Sequence, residues 1–512
     1  MTASIEEPVT QAPTPSPLRL EPVAAFDTVH AFLQDAAFDE DEICGRLDIA
    51  SLDRFRALRD GRPDTPPSDA LDVLVRLFLD NEPVAWSEAR ALLPTDALGA
   101  MQALGLVRDH KTDPSRAVAN VLLYPTQSLY IASDVATLPD GGDARWWDLV
   151  YAALTTNTRN FLATMPRNSC DAFLDLCSGT GVAALAAASR FANHAWAVDV
   201  ADRSTEFARF NARLNQISNV TALSGDLYAP VAGLTFDRIV AHPPYVASHQ
   251  TRMVYRDGGS DGESVTRRII SGLPHYLRAG GHFHCTCRAT DRKGAPLEQR
   301  VRAMLGEAAG EFDVAVVATD ELDPTEYYVR LAIAGRGTWA EAEEWHRHFA
   351  ELGVTKMVYA TIAILRHERA HPPFTVRRRS GSATGASELG RLVRAAEESA
   401  STTGLDRLLD SHPVLQPHVS LWSEHALQDG EWAVRSCSLA TDVPFDVRLP
   451  CPPEMVPLIA RMDGTRSVRE LYEDLARAGN LTEDASIERL ASYIHILTAH
   501  GLVELHRRVT AD

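Results

Sequence analysis

Between residues 140 and 335 short apolar runs rich in β-branched and aromatic residues alternate with Ala-rich amphipathic stretches, a pattern that predicts a doubly wound α/β sheet. The runs AFLDLC, AWAVDV, VTALSGD, FDRIVAH, GHFHCTC, FDVAVVAT and YYVRLAIAG predict its seven strands. Beyond them TWAEAEEWHRHFAELGV predicts a helix and MVYATIAILRHER a strand, so this α/β unit is expected over residues 140–375. Upstream, 22–35, 40–59 and 68–80 have helical spacing broken by GRPDTPPSD, SEARALLPTDALGAMQALGLVRD predicts two short helices, and VANVLLYPTQSLYIASD two β runs. A helical, winged-helix-like domain is therefore expected over 21–139, after a disordered 1–20. The Ser/Gly stretch SGSATGAS marks a linker at 376–390, with Arg377, Arg378 and Arg379 as its solvated start. The remainder, 391–512, ends in three helical patterns and a terminal strand, and reads as a second winged-helix-like α+β domain.

A length of 512 residues suits about three domains, and 45% hydrophobic with 23% charged residues is a packed-domain composition. No run approaches the ~18 apolar residues of a membrane span, and the first twenty residues lack a signal core, so a cytoplasmic protein with no membrane partner is expected. The seven cysteines contain no C-x-x-C pair, which fits reduced thiols; Cys285 and Cys287 share a strand face and read as packing. No metal site is expected. A formal net charge of −19 disfavours nucleic acid, whose binding needs clustered Lys and Arg.

The chemistry concentrates in FLDLCSGTGVAALAAASRFANHAWAVDV, residues 173–200, which predicts strand, Gly-containing turn, helix and strand. In the turn Ser178-Gly179-Thr180-Gly181, glycine permits left-handed φ and close approach of a ligand to the backbone. Ala184 stands where a dinucleotide fingerprint has its third Gly. Asp199 closes the second strand, where a carboxylate can accept both hydroxyls of a ribose. These features serve NAD and S-adenosylmethionine equally, so oxidoreductase and methyltransferase both stand at this point. Two further stations bear on the choice. Gly225-Asp226-Leu227 follows the third strand and suits the edge of an adenine, and His242-Pro243-Pro244-Tyr245 follows the fourth. All lie at carboxyl ends of strands, where open α/β sheets bind ligands.

From Thr158 through Tyr328, DLCSGTG, AVDV, FARFNARLNQ, SGDLYAPV, FDRIVAHPPYV, GGSDGESVTRRII and LRAGGHF occur in the order found in the class I methyltransferases with an Asn-Pro-Pro-Tyr motif. The chain resembles this small-domain family, above all the protein-glutamine methyltransferases of translation release factors. The resemblance implies a Rossmann-like seven-stranded fold and S-adenosyl-L-methionine as cofactor. It implies methionine contacts from the turn Asp175, Cys177, Gly179, Thr180 and Gly181, ribose contact from Asp199, with Val200 beside it in the cofactor set, and adenine contact around Gly225, Asp226 and Leu227. Thr158 and His242 complete the expected cofactor set. Pro243, Pro244 and Tyr245 would meet the substrate nitrogen. The family's Asn is His242 here; a neutral imidazole still offers one acceptor nitrogen and an imidazolium offers none.

Downstream, Asp257, Asp261 and Glu263 in YRDGGSDGESV read as a polar loop with helix-capping carboxylates, or, more sharply, with Glu263 or Asp261 facing the active site to hold a cation. Glu263 is carried forward as a catalytic candidate with His242, Pro243 and Tyr245, and Glu326 is a lesser one. The leading expectation is N-methylation of a small-molecule or amino-acid-like amine or guanidine, plausible in specialised metabolism, by an enzyme that could dimerise. The alternatives are a macromolecule methyltransferase acting on protein glutamine or ribosomal RNA, and a non-catalytic cofactor-fold protein.

Overall fold

The computed structural model describes residues 14–55, 65–135, 137–141, 147–248, 252–335, 338–401, 405–477 and 486–506. Its backbone is an eleven-stranded sheet in the order Ser420–Gln428, Glu431–Thr441, Phe445–Cys451, Thr375–Ser380, Phe312–Leu322, Val354–Arg366, Leu277–Arg292, Phe236–Ala241, Cys170–Leu176, Ala192–Asp199, Val220–Ser224. The last seven form the expected Rossmann-like unit, and within it only Val354–Arg366 runs antiparallel to its neighbours. Its central strands are buried on both faces. Phe173 and Val240 face a core built with the helices Val182–Ala188 and Asp202–Leu214, while Leu174, Leu176 and Ile239 face one built with Ser264–Tyr276. No described helix is long and apolar enough to cross a membrane.

The seventh strand is not where the pattern put it. YYVRLAIAG lies in the helix Pro324–Ile333, started by Asp323, whose carboxylate accepts from the Thr325 and Glu326 amides, and by Pro324 in the first turn. The strand position belongs to Val354–Arg366, MVYATIAILR, which pairs with Leu277–Arg292 on one side and Phe312–Leu322 on the other.

The flanking regions pack on this unit. Helix Val23–Asp35 lays Phe26 edge-on against Phe210 at 5.0 Å, and Asn211 exchanges hydrogen bonds with the Ala132 backbone. Arg203, 1% exposed, pairs with Asp134 and donates to the carbonyls of Thr14 and Pro15. Residues 14–20, expected to be disordered, are thus tied down; residues 1–13 lie outside the described residues. Arg377–Arg379 do not begin a solvated linker. Thr375–Ser380 is a strand, and Arg377 pairs with Asp291 at 2.8 Å and Glu321 at 2.6 Å. Helices Val468–Arg477 and Ile487–Ala499 share a core with Ala315, Val317 and Leu365 of the sheet.

Candidate active site

Register places the chemistry. Leu176 lies opposite Ala241 on one side and Val198 on the other, so the chain leaves three adjacent parallel strands at Cys177, His242 and Asp199. Neighbouring strands are about 4.8 Å apart, which brings the turn, the acidic strand end and the Pro-Pro-Tyr loop to one edge.

The turn has the backbone expected of it: φ is +57° at Cys177, +52° at Gly179 and +78° at Gly181. A Cβ at Gly181 would sit 2.9 Å from Ala208 Cβ, so glycine there lets the turn lie against helix Asp202–Leu214. Asp199 fastens turn to strand: its Oδ2 accepts from the Gly179 amide at 2.8 Å and its Oδ1 from the Ala201 amide at 3.0 Å. Burial raises the pKa of Asp199, and burial with the nearby Asp199 charge pushes Asp175 up to about 8. Two carboxylates held close without a described cation suit a ligand that carries positive charge, as the sulfonium and ammonium groups of S-adenosylmethionine do. Val200 beside them is exposed.

At pH 7 Asp175 is therefore protonated in the unliganded protein, and a cation brought beside it favours the carboxylate. Cofactor binding should release protons in the window below about pH 8, and affinity should climb with pH until it levels off above that value. Calorimetry in two buffers of different ionisation enthalpy reads this directly. Equal heats in both buffers and a pH-flat affinity would remove Asp175 from the methionine contact.

Gly225 donates to the Asp199 carbonyl at 2.9 Å, and a Cβ there would meet Pro230 at 2.5 Å; Leu227 is buried in a left-handed conformation. Asp226 is exposed and paired with Arg268 at 2.5 Å, a surface pair of about 0–1 kcal/mol. Thr158 sits in the first turn of helix Thr156–Thr164, its amide taken by Thr155 Oγ1.

That helix covers the Pro-Pro-Tyr loop, a role the sequence did not announce. Phe161 stacks on His242 with ring centroids 5.4 Å apart, and Asn157 donates to the Tyr245 hydroxyl at 3.1 Å. Among the described residues His242 Nε2 is buried and has no hydrogen-bond partner, and burial pushes the ring's pKa down to about 4, leaving it neutral. Tyr245 packs edge-on to Tyr359, and the Arg288 guanidinium lies 5.9 Å from the Tyr245 ring and 4.5 Å from that of Tyr327. From outside, YRDGGSDGES holds the loop by backbone: a Cβ on Gly258 would sit 2.7 Å from the Pro244 carbonyl oxygen, and one on Gly262 2.7 Å from that of Tyr245.

The acidic residues of that segment do not wait for a cationic guest. Glu263, 1% exposed, is paired with Arg300 and accepts from the Thr290 amide at 2.9 Å and hydroxyl at 2.6 Å. Asp261 takes Arg267 at 2.7 Å and Arg292 at 2.8 Å, Asp257 accepts from the Arg252 and Met253 amides, and Glu326 pairs with Arg330 on the surface. Its commitment to Arg300 and Thr290 speaks against the catalytic role expected of Glu263. Glu263→Ala would strand Arg300 in a half-buried place and should cost about 3–5 kcal/mol in chemical denaturation while leaving transfer per folded molecule nearly unchanged. Slow transfer by a variant of undiminished stability would return Glu263 to the active site.

Residues 151–307 match the family described as methyltransferase small domain. The chain is 29% identical over 172 residues to the ribosomal protein uL3 glutamine methyltransferase of Bradyrhizobium diazoefficiens, covering 31% of this chain and 50% of that protein. It is 31% identical to the release factor glutamine methyltransferase of Thermodesulfovibrio yellowstonii, over 22% of this chain and 45% of that protein. It is 33% identical to the release factor glutamine methyltransferase of Xylella fastidiosa, over 21% and 43%. The chain thus spans about half the length, or less, of these relatives. Their names overturn the expectation of a small-molecule amine or guanidine acceptor in specialised metabolism, and the commitment of Asp261 and Glu263 to arginines removes its physical support. Residues 151–307 thus match a methyltransferase small domain, and over that stretch the chain is similar to protein-glutamine methyltransferases.

Proposed function

We propose that this protein methylates the side-chain amide nitrogen of a glutamine in a protein substrate. The observation that carries the reading is the neutral His242, whose buried Nε2 has no described partner, at the head of the Pro-Pro-Tyr loop. An amide nitrogen is a poor nucleophile because its lone pair is delocalised into the carbonyl. Two acceptors that each hold one of its N–H hydrogens fix the nitrogen and favour localisation of the pair; in this reading His242 Nε2 and the Pro243 carbonyl are those acceptors. A neutral ring is required, since an imidazolium has no lone pair to offer. Tyr245, anchored by Asn157, walls the planar amide. Bound S-adenosylmethionine supplies an electrophilic methyl sulfonium. As the N–CH3 bond forms, the S–CH3 bond breaks and its electron pair stays on sulfur as the thioether; the amide gives up one proton to solvent. The protein's share is orientation, a term that can reach about 7–11 kcal/mol, and no strong base is needed.

The net charge of −19 speaks against ribosomal RNA as acceptor. The N-terminal helices with the three-stranded sheet Val84–Ala85, Arg116–Ala119, Val107–Asp109 are assigned here as a winged-helix-like docking module for the protein substrate. Incubation with methyl-labelled S-adenosylmethionine and separate pools of ribosomal proteins with release factors, small amines, and ribosomal RNA sorts these readings. Label should enter the protein pool; label confined to the amine or RNA pool would contradict the proposal.

A further inference from the structure

We propose that the protein carries a second ligand site, for one divalent transition-metal ion of the zinc class, formed by Asp313, His367 and His371 at the edge of the sheet opposite the active site. Asp313 is the second residue of Phe312–Leu322, and His367 directly follows the antiparallel strand Val354–Arg366. Phe312–Leu322 runs parallel to Phe236–Ala241, so a residue at its start lies away from the carboxyl ends where Asp199 and His242 sit. The Asp313 side chain is 0% exposed and those of His367 and His371 are 5% exposed. One ligand atom from each residue lies within 4.8 Å of the others.

Three observations point to a metal. The first is spacing: His367 Nε2 lies 3.1 Å from Asp313 Oδ1 and His371 Nε2 lies 3.3 Å from Oδ2. With Zn–N and Zn–O bonds near 2.0–2.1 Å, the edge between two ligand atoms of a tetrahedral site is about 3.3 Å. The second is that, despite these distances, neither Nε2 nor Oδ2 makes a hydrogen bond of acceptable geometry, so three buried polar atoms face one another unsatisfied. The third is tautomer. His371 Nδ1 is 3.1 Å from the Pro372 carbonyl oxygen, which can only accept, so Nδ1 holds a hydrogen and Nε2 is the ring nitrogen turned toward Asp313. One cation between the two rings and the carboxylate satisfies all three atoms at once, and the rings that would share it stack 3.7 Å apart.

The surroundings hold the donors in place. The Phe374 amide donates to Asp313 Oδ1 at 2.9 Å, and Arg302 donates to the Phe312 carbonyl at 3.0 Å and to that of Phe374. With one carboxylate, an arginine close by and two neutral nitrogen donors, the set lacks the charge that Ca2+ or Mg2+ demands and suits an imidazole-binding ion such as Zn2+. The ion would staple the 367–374 connection to the sheet.

The test uses the full-length protein without a histidine tag, chelator-treated and desalted, titrated with Zn2+ against a chromophoric competitor and with Co2+ followed by its visible ligand-field absorption. One equivalent should bind with micromolar or tighter affinity, and Zn2+ should raise Tm. His371→Ala, and the near-isosteric Asp313→Asn that spares packing, should each weaken binding by roughly a hundredfold or more and abolish the Tm shift. Absence of stoichiometric binding by the wild type, or wild-type affinity in both variants, overturns the site.

Discussion

Asp199→Ala should lose S-adenosylmethionine binding by roughly a hundredfold to ten-thousandfold, with the fold retained. The estimate follows from two hydroxyl hydrogen bonds to a charged acceptor, each worth about 1.5–3 kcal/mol, at 1.4 kcal/mol per factor of ten. The carboxylate also holds the amides of Gly179 and Ala201, so the turn itself loses its fastening to the strand end. Asp199→Asn separates the two contributions, because it keeps one oxygen acceptor and the side-chain volume and should lose less affinity. Calorimetric titration alongside a thermal melt distinguishes lost binding from lost fold. Undiminished affinity in Asp199→Ala would place the adenosyl group elsewhere.

His242→Ala should lower kcat by about 100-fold or more, with cofactor affinity within about twofold, because the lost contact orients the acceptor and not the adenosyl group. His242→Asn returns the side chain of the resembled family and should retain much of the wild-type rate on a glutamine acceptor. The pH dependence has a definite sign. Burial lowers the ring's pKa to about 4, so the acceptor form persists throughout the neutral range and is lost only as pH falls through about 4. Transfer therefore should not show the inflection near 6.5 that an unperturbed histidine would give. Loss of activity through pH 6.5 that vanishes in His242→Asn would mean that the ring is solvated in the working enzyme. Wild-type rates from both variants would reduce His242 to a core residue stacked on Phe161.

The cofactor end of the site was legible in the sequence because its geometry is local: strand, turn, helix and strand fix where Gly179, Gly181 and Asp199 fall. The acceptor end was legible only in part. His242 and Tyr245 stand out by spacing, whereas Asn157 and Phe161, which cover them, come from a helix before the first strand of the sheet. The arginine partners of the acidic loop were hidden for the same reason, since Arg292 and Arg300 lie on later elements. So were the partners of Arg377, where composition suggests a linker and distant Asp291 and Glu321 make a strand. The run YYVRLAIAG alternates Tyr327, Val329, Leu331 and Ile333 as a strand would, but Asp323-Pro324 ahead of Glu326 is a helix start, and that local signal outranks the alternation. Nothing in the sequence singles out Gly258 and Gly262; the approach of the Pro244 and Tyr245 carbonyls shows why a side chain is barred there.

The central claim, a protein glutamine positioned by His242, is tested most directly by tandem mass spectrometry of the methylated substrate. Purified protein and S-adenosylmethionine are incubated with ribosomal proteins and release factors, and the modified peptides are sequenced beside those from His242→Ala. The account predicts one added methyl on the side-chain amide of a glutamine, formed by the wild type and nearly absent with His242→Ala. Methylation found only on lysine, arginine, a chain terminus or RNA, or glutamine methylation undiminished in His242→Ala, would contradict it.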